Sequence, residues 1–194
     1  MFAQAEVTPL RLLDGTFGRG GHTQALLDKY TTLAAVGVDR DDQAHEYAQK
    51  TYAENLDTGR LRLWKGSYRQ FIEQHPQENF DFILLDLGVS SPQLDSPERG
   101  FSFYQNGPLD MRMGQSQKTT AAEVINTWSE EQLNEIFQEY GEIRSPYRVV
   151  RAVVHDRKTK PFTTTGELAG LIERVDGWRQ KGRHPATQYF MALR

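Results

Sequence analysis

Apolar residues in the first half of the chain fall in short blocks separated by amphipathic stretches. The run L-R-L-L-D at 10–14 reads as a strand and T-Q-A-L-L-D-K-Y at 23–30 as a helix. L-A-A-V-G-V-D at 33–39 is apolar nearly throughout, the pattern of a parallel strand covered on both faces, and it ends on a carboxylate. A helix-like segment over 41–52 precedes R-L-R-L-W at 60–64, which alternates with period two. A short helix over 67–75 then leads to a fourth strand, F-D-F-I-L-L-D at 80–86, again closed by Asp. Strands alternating with helices in this way predict βαβ units in an α/β, Rossmann-like doubly wound sheet.

After Asp86 the rhythm stops. Residues 87–118 mix Gly and Pro with Phe, Tyr and Met, so this long irregular stretch is expected to be functional rather than disordered. Helical patterning resumes at Ser129, where S-E-E-Q is a capping box, Leu133, Ile136, Phe137 and Tyr140 share a face, and Gly141 supplies the stop. A second helix over 147–156 turns Val149, Val150, Val153 and Val154 inward and Arg148 and Arg151 outward. A third opens on the capping box T-T-G-E at 164–167, with Leu168, Leu171, Ile172 and Val175 as its stripe. Residues 1–118 are therefore expected to form the sheet domain and 119–194 a small all-helical domain.

Composition narrows the class. The 194 residues are 38% hydrophobic and 25% charged, enough for one compact domain with an appendage. No apolar run approaches the roughly 20 residues of a membrane span, and M-F-A-Q-A-E-V-T-P has no signal-peptide pattern, so the chain reads as a soluble, cytoplasmic protein. The absence of Cys excludes disulfides and thiolate nucleophiles, and the five His show no H-x-x-x-H spacing, so no protein-ligated metal is expected. Net charge is −3, but it is divided unevenly. Residues 1–143 carry 12 Lys and Arg against 22 Asp and Glu, whereas residues 144–194 carry 11 against 4. A solvated face and a polyanion-binding surface both fit such a run; on the second, Lys and Arg gain affinity by releasing counterions from phosphates.

The stretch D-G-T-F-G-R-G-G-H-T at 14–23 joins the first strand to the first helix. A turn so rich in glycine lets backbone N–H groups and the positive end of a helix face a ligand at close range. The phosphate-loop pattern G-x-x-x-x-G-K-[ST] is half met at Gly15 and Gly20, but Gly21 and His22 follow where its Lys and hydroxyl belong. The dinucleotide pattern G-x-G-x-x-G is not met by glycines at 15, 18, 20 and 21. S-adenosylmethionine has no pyrophosphate; it needs a close backbone and an acid at the end of the second strand for its ribose hydroxyls. Asp39 stands there, although such an acid serves NAD as well. A set of turn glycines and a helix-capping Asp account for each element singly, while the ordered combination favours S-adenosylmethionine.

The same stretch, with L-L-D-L-G-V-S-S-P-Q-L-D at 84–95, R-G-F-S-F at 99–103 and G-P-L-D-M-R-M at 107–113, resembles the RsmH (MraW) family. H-P-A-T at 184–187 and F-M-A-L-R at 190–194 also resemble it, so the likeness covers nearly the whole chain. These are S-adenosylmethionine-dependent methyltransferases that modify N4 of a cytidine in the decoding region of small-subunit (16S) ribosomal RNA. The resemblance implies cofactor contacts at Gly20, Gly21, His22, Asp39, Asp86 and Gln93, and at Tyr68 in K-G-S-Y, where the family usually has Phe. It implies that the helical unit is an insertion for RNA recognition, with small-subunit ribosomal RNA or the 30S subunit as partner; a homodimer is left open. Two features depart from the family. Only E-V-T-P-L stands in place of a P-V-L-L-x-E-type segment, and the strands that follow A-L-R in the family do not follow here, so a chain shortened at both ends is expected.

Without Cys the chain cannot methylate cytosine at C5, which needs a thiolate. Methylating the exocyclic N4 instead requires acceptors for its N–H bonds and a nearly in-line sulfonium methyl. Amino-methyltransferases commonly place an Asp or Asn followed by prolines after the fourth strand. D-L-G-V-S-S-P-Q occupies that slot, so Asp86 is expected beside N4, with Ser90 and Ser91 in support. The alternative leaves Asp86 to the cofactor and gives the amine to backbone carbonyls. A cytosine in structured RNA must also be unstacked. Phe101, Phe103, Tyr104, Met111 and Met113 are candidates for the wall of its pocket, although each singly also fits a core, and Arg99 and Arg112 for phosphates. Arg144, Arg148, Arg151, Arg157, Lys158 and Lys160 are candidates for RNA backbone contacts. A methyltransferase for a non-RNA substrate and a non-catalytic S-adenosylmethionine- or RNA-binding form of the fold are the competing readings.

Overall fold

The computed structural model describes residues 9–114, 117–178 and 184–194; of the segment E-V-T-P-L only Pro9 and Leu10 lie within them. Two compact units divide the chain, Met1–Gly88 and Val89–Arg194.

The first unit holds four parallel strands, β1 (Arg11–Asp14), β2 (Ala34–Asp39), β3 (Leu61–Lys65) and β4 (Phe82–Leu84), in the order β3-β2-β1-β4. Helices α1 (Gly21–Lys29), α2 (Asp42–Thr51), α3 (Ala53–Asp57) and α4 (Tyr68–Gln74) connect them. This is the Rossmann-like α/β architecture expected from the sequence. Successive apolar residues serve opposite faces. Leu12, Leu27, Ala35, Ala48 and Leu61 pack with Phe17 on one side, and Leu13, Val36, Val38 and Phe71 on the other, which explains why β1 and β2 lack an alternating pattern. Strand order reverses between β1 and β4, with Leu13 paired to both Val36 and Ile83. In open α/β sheets ligands bind beyond the carboxyl ends of strands at such a reversal.

The fourth strand departs from expectation. Its run of apolar residues reads as a strand over 80–86, but only Phe82–Leu84 pair, and Phe82 and Ile83 are 55% and 63% exposed. β4 is the edge of the described sheet, and of its side chains only Leu84 packs against this unit's apolar clusters.

The second unit comprises α5 (Ser91–Asp95), a single 3₁₀ turn over Pro97–Arg99, α6 (Ala121–Thr127), α7 (Glu130–Glu139), α8 (Tyr147–Asp156), α9 (Thr165–Asp176) and α10 (Ala186–Leu193). Ile125, Leu133, Phe137, Val149, Val150, Val153, Leu168, Leu171, Ile172 and Phe190 form its core, and Phe101, Leu109 and Met111 belong to the same cluster. The segment before residue 118 thus packs with the helices, and the division falls after Gly88. The capping boxes at Ser129 and Thr164 are formed as the sequence indicates. Two details of α7 differ. Tyr140 is 62% exposed rather than on the buried face, and the left-handed residue after the helix is Glu142, with φ 52°, not Gly141. Gly141 is needed instead for close approach, since a Cβ there would lie 2.6 Å from the Phe137 carbonyl and 3.0 Å from that of Gln188 in α10. Among the described residues no helix is long and apolar enough to cross a membrane.

Candidate functional site

The loop from Gly15 to Gly20 leaves β1 and enters α1, and backbone bonds tie it to both neighbouring strands. The Gly15 N–H donates to the Leu84 carbonyl at 2.9 Å, and the Phe17 N–H to that of Val38 at 3.0 Å. The Phe17 ring then turns under the loop into the sheet's core. A Cβ at Gly20 would lie 2.4 Å from that ring and 2.7 Å from the ring of Tyr52, and Gly20 takes φ 72° as the N-cap of α1. A side chain there would clash and also strain the backbone. Gly21 is different: a Cβ on it would meet nothing within 4 Å. Gly20 is therefore small for the protein's own packing, and Gly21 faces open space at a helix start, where the first N–H groups lack acceptors in their own turn. His22 is exposed beside it.

Two carboxylates hold this loop. Asp39, at the end of β2, accepts the Gly18 N–H at 2.7 Å through one oxygen and the Asp41 N–H at 2.9 Å through the other. A carboxylate has about four lone-pair sites, so Asp39 can hold the loop and still accept hydroxyls from a ligand. Asp14 closes β1 and is buried; the Thr23 hydroxyl donates to it at 2.6 Å and the Thr16 N–H at 3.2 Å. Burial pushes its carboxyl up, and those two bonds pull the other way. Sequence reasoning passed over Asp14, whose signal was its place as the first letter of the glycine motif.

Tyr52 was also missed. Its hydroxyl donates to the Arg19 carbonyl at 2.6 Å, while its ring abuts Gly20 and meets Phe17 edge-on at 6.1 Å. Nothing in its local pattern marks it, because it stands between α2 and α3 and reaches the loop only through the fold. Tyr68 opens α4, half-buried against the cluster of Leu13, Val36, Val38 and Phe71, and a Cβ on Gly15 would come within 3.0 Å of its own Cβ. The fold thus brings Gly20, Gly21, His22, Asp39 and Tyr68 around the carboxyl ends of β1 and β2. Asp86 lies just past β4; its N–H donates to the Thr16 hydroxyl at 2.6 Å, and its exposed carboxylate makes no hydrogen bond or ion pair among the described residues.

In the second unit, Gln93 is buried and its Oε1 accepts the Ser90 N–H at 3.0 Å at the start of α5, where Ser91 is exposed. The aromatic and Arg motifs are turned inward. Phe101 is fully buried and Met111 nearly so, which places both in the core and not on a pocket wall. Arg99 donates to the carbonyls of Arg112 and Met113 at 3.1 and 3.2 Å, and Arg112 holds Asp110 with bonds of 2.8 and 2.7 Å. Both cations thus stitch their own loop together. Phe103 and Met113 are half-buried, and Tyr104 is exposed.

The basic residues divide in two. Arg157 donates to the Ile125 carbonyl at 2.7 Å near the end of α6, Lys160 pairs with Glu167 at 2.5 Å, and Arg151 lies 3.5 Å from Glu130. The Lys160 bond, with N–H groups of Thr163 and Thr164, holds the Glu167 carboxyl down to about 2. Arg144, Arg148 and Lys158 are exposed, and their side chains make no hydrogen bond or ion pair among the described residues. No cluster of three or more His, Asp and Glu suited to a metal occurs among the described residues.

Comparison with known proteins gives a consistent result. Residues 5–194 match the model of the MraW methylase family. The chain is 60% identical over 185 residues to "Ribosomal RNA small subunit methyltransferase H" of Bdellovibrio bacteriovorus, covering 95% of this chain and 56% of that protein. It is 48% identical over 188 residues to the protein of the same name from Synechocystis sp., covering 94% and 60%. The chain thus spans somewhat more than half the length of the curated relatives it matches.

Proposed function

Because the chain belongs to the MraW methylase family, we propose that it binds S-adenosylmethionine in the glycine loop and serves methylation of small-subunit ribosomal RNA, at the exocyclic N4 of a cytidine in the decoding region. The observation that carries this reading is the loop's construction: a left-handed Gly20 backed by two rings, an open Gly21 at a helix start, and Asp39 at the end of the next strand. No Lys stands at the helix start, where a phosphate loop carries one.

Gly20, Gly21 and His22 hold the amino-acid part, Asp39 accepts the ribose hydroxyls, and Tyr68 offers its ring to the adenine. Bound S-adenosylmethionine supplies an electrophilic methyl on a positive sulfur. The chain's own task is to prepare the amine, whose lone pair is delocalised into the cytosine ring. Asp86 accepts an N–H of N4 through a carboxylate that no described group engages, which draws density back to nitrogen and orients it. Arg144, Arg148 and Lys158 neutralise RNA phosphates.

Calorimetry with S-adenosylmethionine, then transfer of labelled methyl to 30S subunits lacking the modification, tests both parts. One binding site, lost in Asp39→Ala, and methyl incorporation, lost in Asp86→Ala, are expected. Absence of binding by the parent chain would remove the cofactor reading.

A further inference from the structure

Four rings of the helical unit form a row that the cofactor site does not use. Tyr104 lies 4.8 Å from Phe103 at an interplanar angle of 36°, Phe103 lies 4.6 Å from His184 at 38°, and His184 lies 5.0 Å from Trp178 at 73°. The two ends are open, with Tyr104 79% and Trp178 57% exposed. The middle is anchored. Phe103 packs edge-on against the buried Phe190 at 4.8 Å. The Trp178 Nε1–H donates to Glu173 at 2.6 Å, and His184 Nε2 stands 3.8 Å from the other oxygen of the same carboxylate. His184 Nδ1 accepts the Ala186 N–H at 3.1 Å.

The Trp178 nitrogen and His184 Nδ1 are thus engaged within the unit, while Tyr104 and Trp178 stay open at the two ends of the row. Exposed rings packed on anchored neighbours suit stacking, which every nucleobase offers whatever its identity. Stacking on an exposed Tyr adds only about 0.5–1.5 kcal/mol to a fold, so stability gives small reason for two aromatics so open. Charge points the same way: residues 144–194, which supply Trp178 and His184, hold 11 Lys and Arg against 4 Asp and Glu.

We propose that Tyr104, Phe103, His184 and Trp178 form a stacking platform for unpaired bases of an RNA substrate. The proposal rests on the RNA-methyltransferase reading above and adds the residues that hold single-stranded RNA beside its phosphate contacts.

The test is fluorescence anisotropy of a dye-labelled, unstructured RNA of about 12 nucleotides, with a hairpin of equal length as control. Since base–aromatic stacking is worth roughly 1–3 kcal/mol per base, Tyr104→Ala and Trp178→Ala should each weaken the unstructured RNA about tenfold and the hairpin little. Tyr104→Phe and Trp178→Phe should stay within about twofold of the parent. The slope of log Kd against log salt should not change, because no phosphate contact is lost. Should Trp178→Ala unfold, Tyr104→Ser at the exposed end carries the test alone. Equal affinity of the Ala variants and the parent, a reduced salt slope, or no RNA binding by the parent would overturn the platform. So would variants that lose only intact 30S subunits and keep protein-free RNA, which would assign the rings to a protein partner. S-adenosylmethionine calorimetry on the same samples reports on the cofactor reading separately, and the ring variants should match the parent there.

Discussion

The two glycine-bearing motifs use their residues in opposite directions. Between Asp14 and Thr23 the side chains turn inward, Phe17 into the sheet and Asp14 onto Thr23, and the backbone at Gly21 is left open. Between Pro97 and Gly114 the glycines bring the chain against itself: a Cβ on Gly100 would fall 2.0 Å from the Pro108 carbonyl, and one on Gly107 1.8 Å from that of Pro97. There Arg99, Arg112 and Phe101 are committed to the loop and the core, and Tyr104 is the ring left outside. An ordered motif of Gly, Arg and aromatic residues marks a place where the chain must close tightly. Whether the closure serves a ligand or the fold depends on what the freed space contains.

If that contrast is right, substitutions in the second motif act on stability and those in the first on ligand affinity. Phe101→Ala should cost the helical unit about 3–5 kcal/mol in denaturant unfolding, as for other fully buried rings, with the cofactor affinity of the folded protein unchanged. A cost below about 1 kcal/mol would place Phe101 outside the core. Gly20→Ala should reverse the pattern. Forcing a left-handed backbone on Ala costs on the order of 1–3 kcal/mol, and the added Cβ displaces Phe17 and Tyr52 from the loop. Affinity for S-adenosylmethionine should fall about thirtyfold by calorimetry, corresponding to about 2 kcal/mol. Tyr52→Phe, which removes only the hydrogen bond to the Arg19 carbonyl, should weaken the ligand about fivefold, the ~1 kcal/mol of one such bond.

The smallest effect concerns the basic side chains that are already engaged. Glu167, held down to about 2 first by its bond from Lys160, has a folded value below its unfolded one. Its contribution is therefore present above the unfolded value near 4.5 and lost as pH falls toward 2. Lys160→Met should lower the thermal midpoint slightly at neutral pH, and the difference from the parent should vanish across that acid window. Lys160→Met should also leave the salt slope of RNA binding nearly unchanged, whereas Lys158→Met should reduce it by about 0.7.

The parts legible in sequence were those fixed by local chemistry. The apolar runs of β1 and β2 required cover on both faces, the capping boxes at Ser129 and Thr164 gave helix starts, and Asp39 could be placed at a strand end. Three kinds of feature were not legible. Tyr52 joins the loop through tertiary packing alone. Phe101 and Arg99 have the residue types of a binding surface, and only their partners show that they serve the core and the loop. The edge position of β4 depends on which strands pair beside it, which its apolar run does not record.

The measurement closest to the central claim is hydrogen exchange of the amides from Gly15 to Thr23 with and without S-adenosylmethionine. The first N–H groups of α1, from Gly21 onward, lack acceptors in their own turn and face the ligand, and exchange reports on them one segment at a time. Slowed exchange confined to that loop and to the residues around Asp39 is the expected result. Binding that protects other segments and leaves the loop unchanged would contradict it.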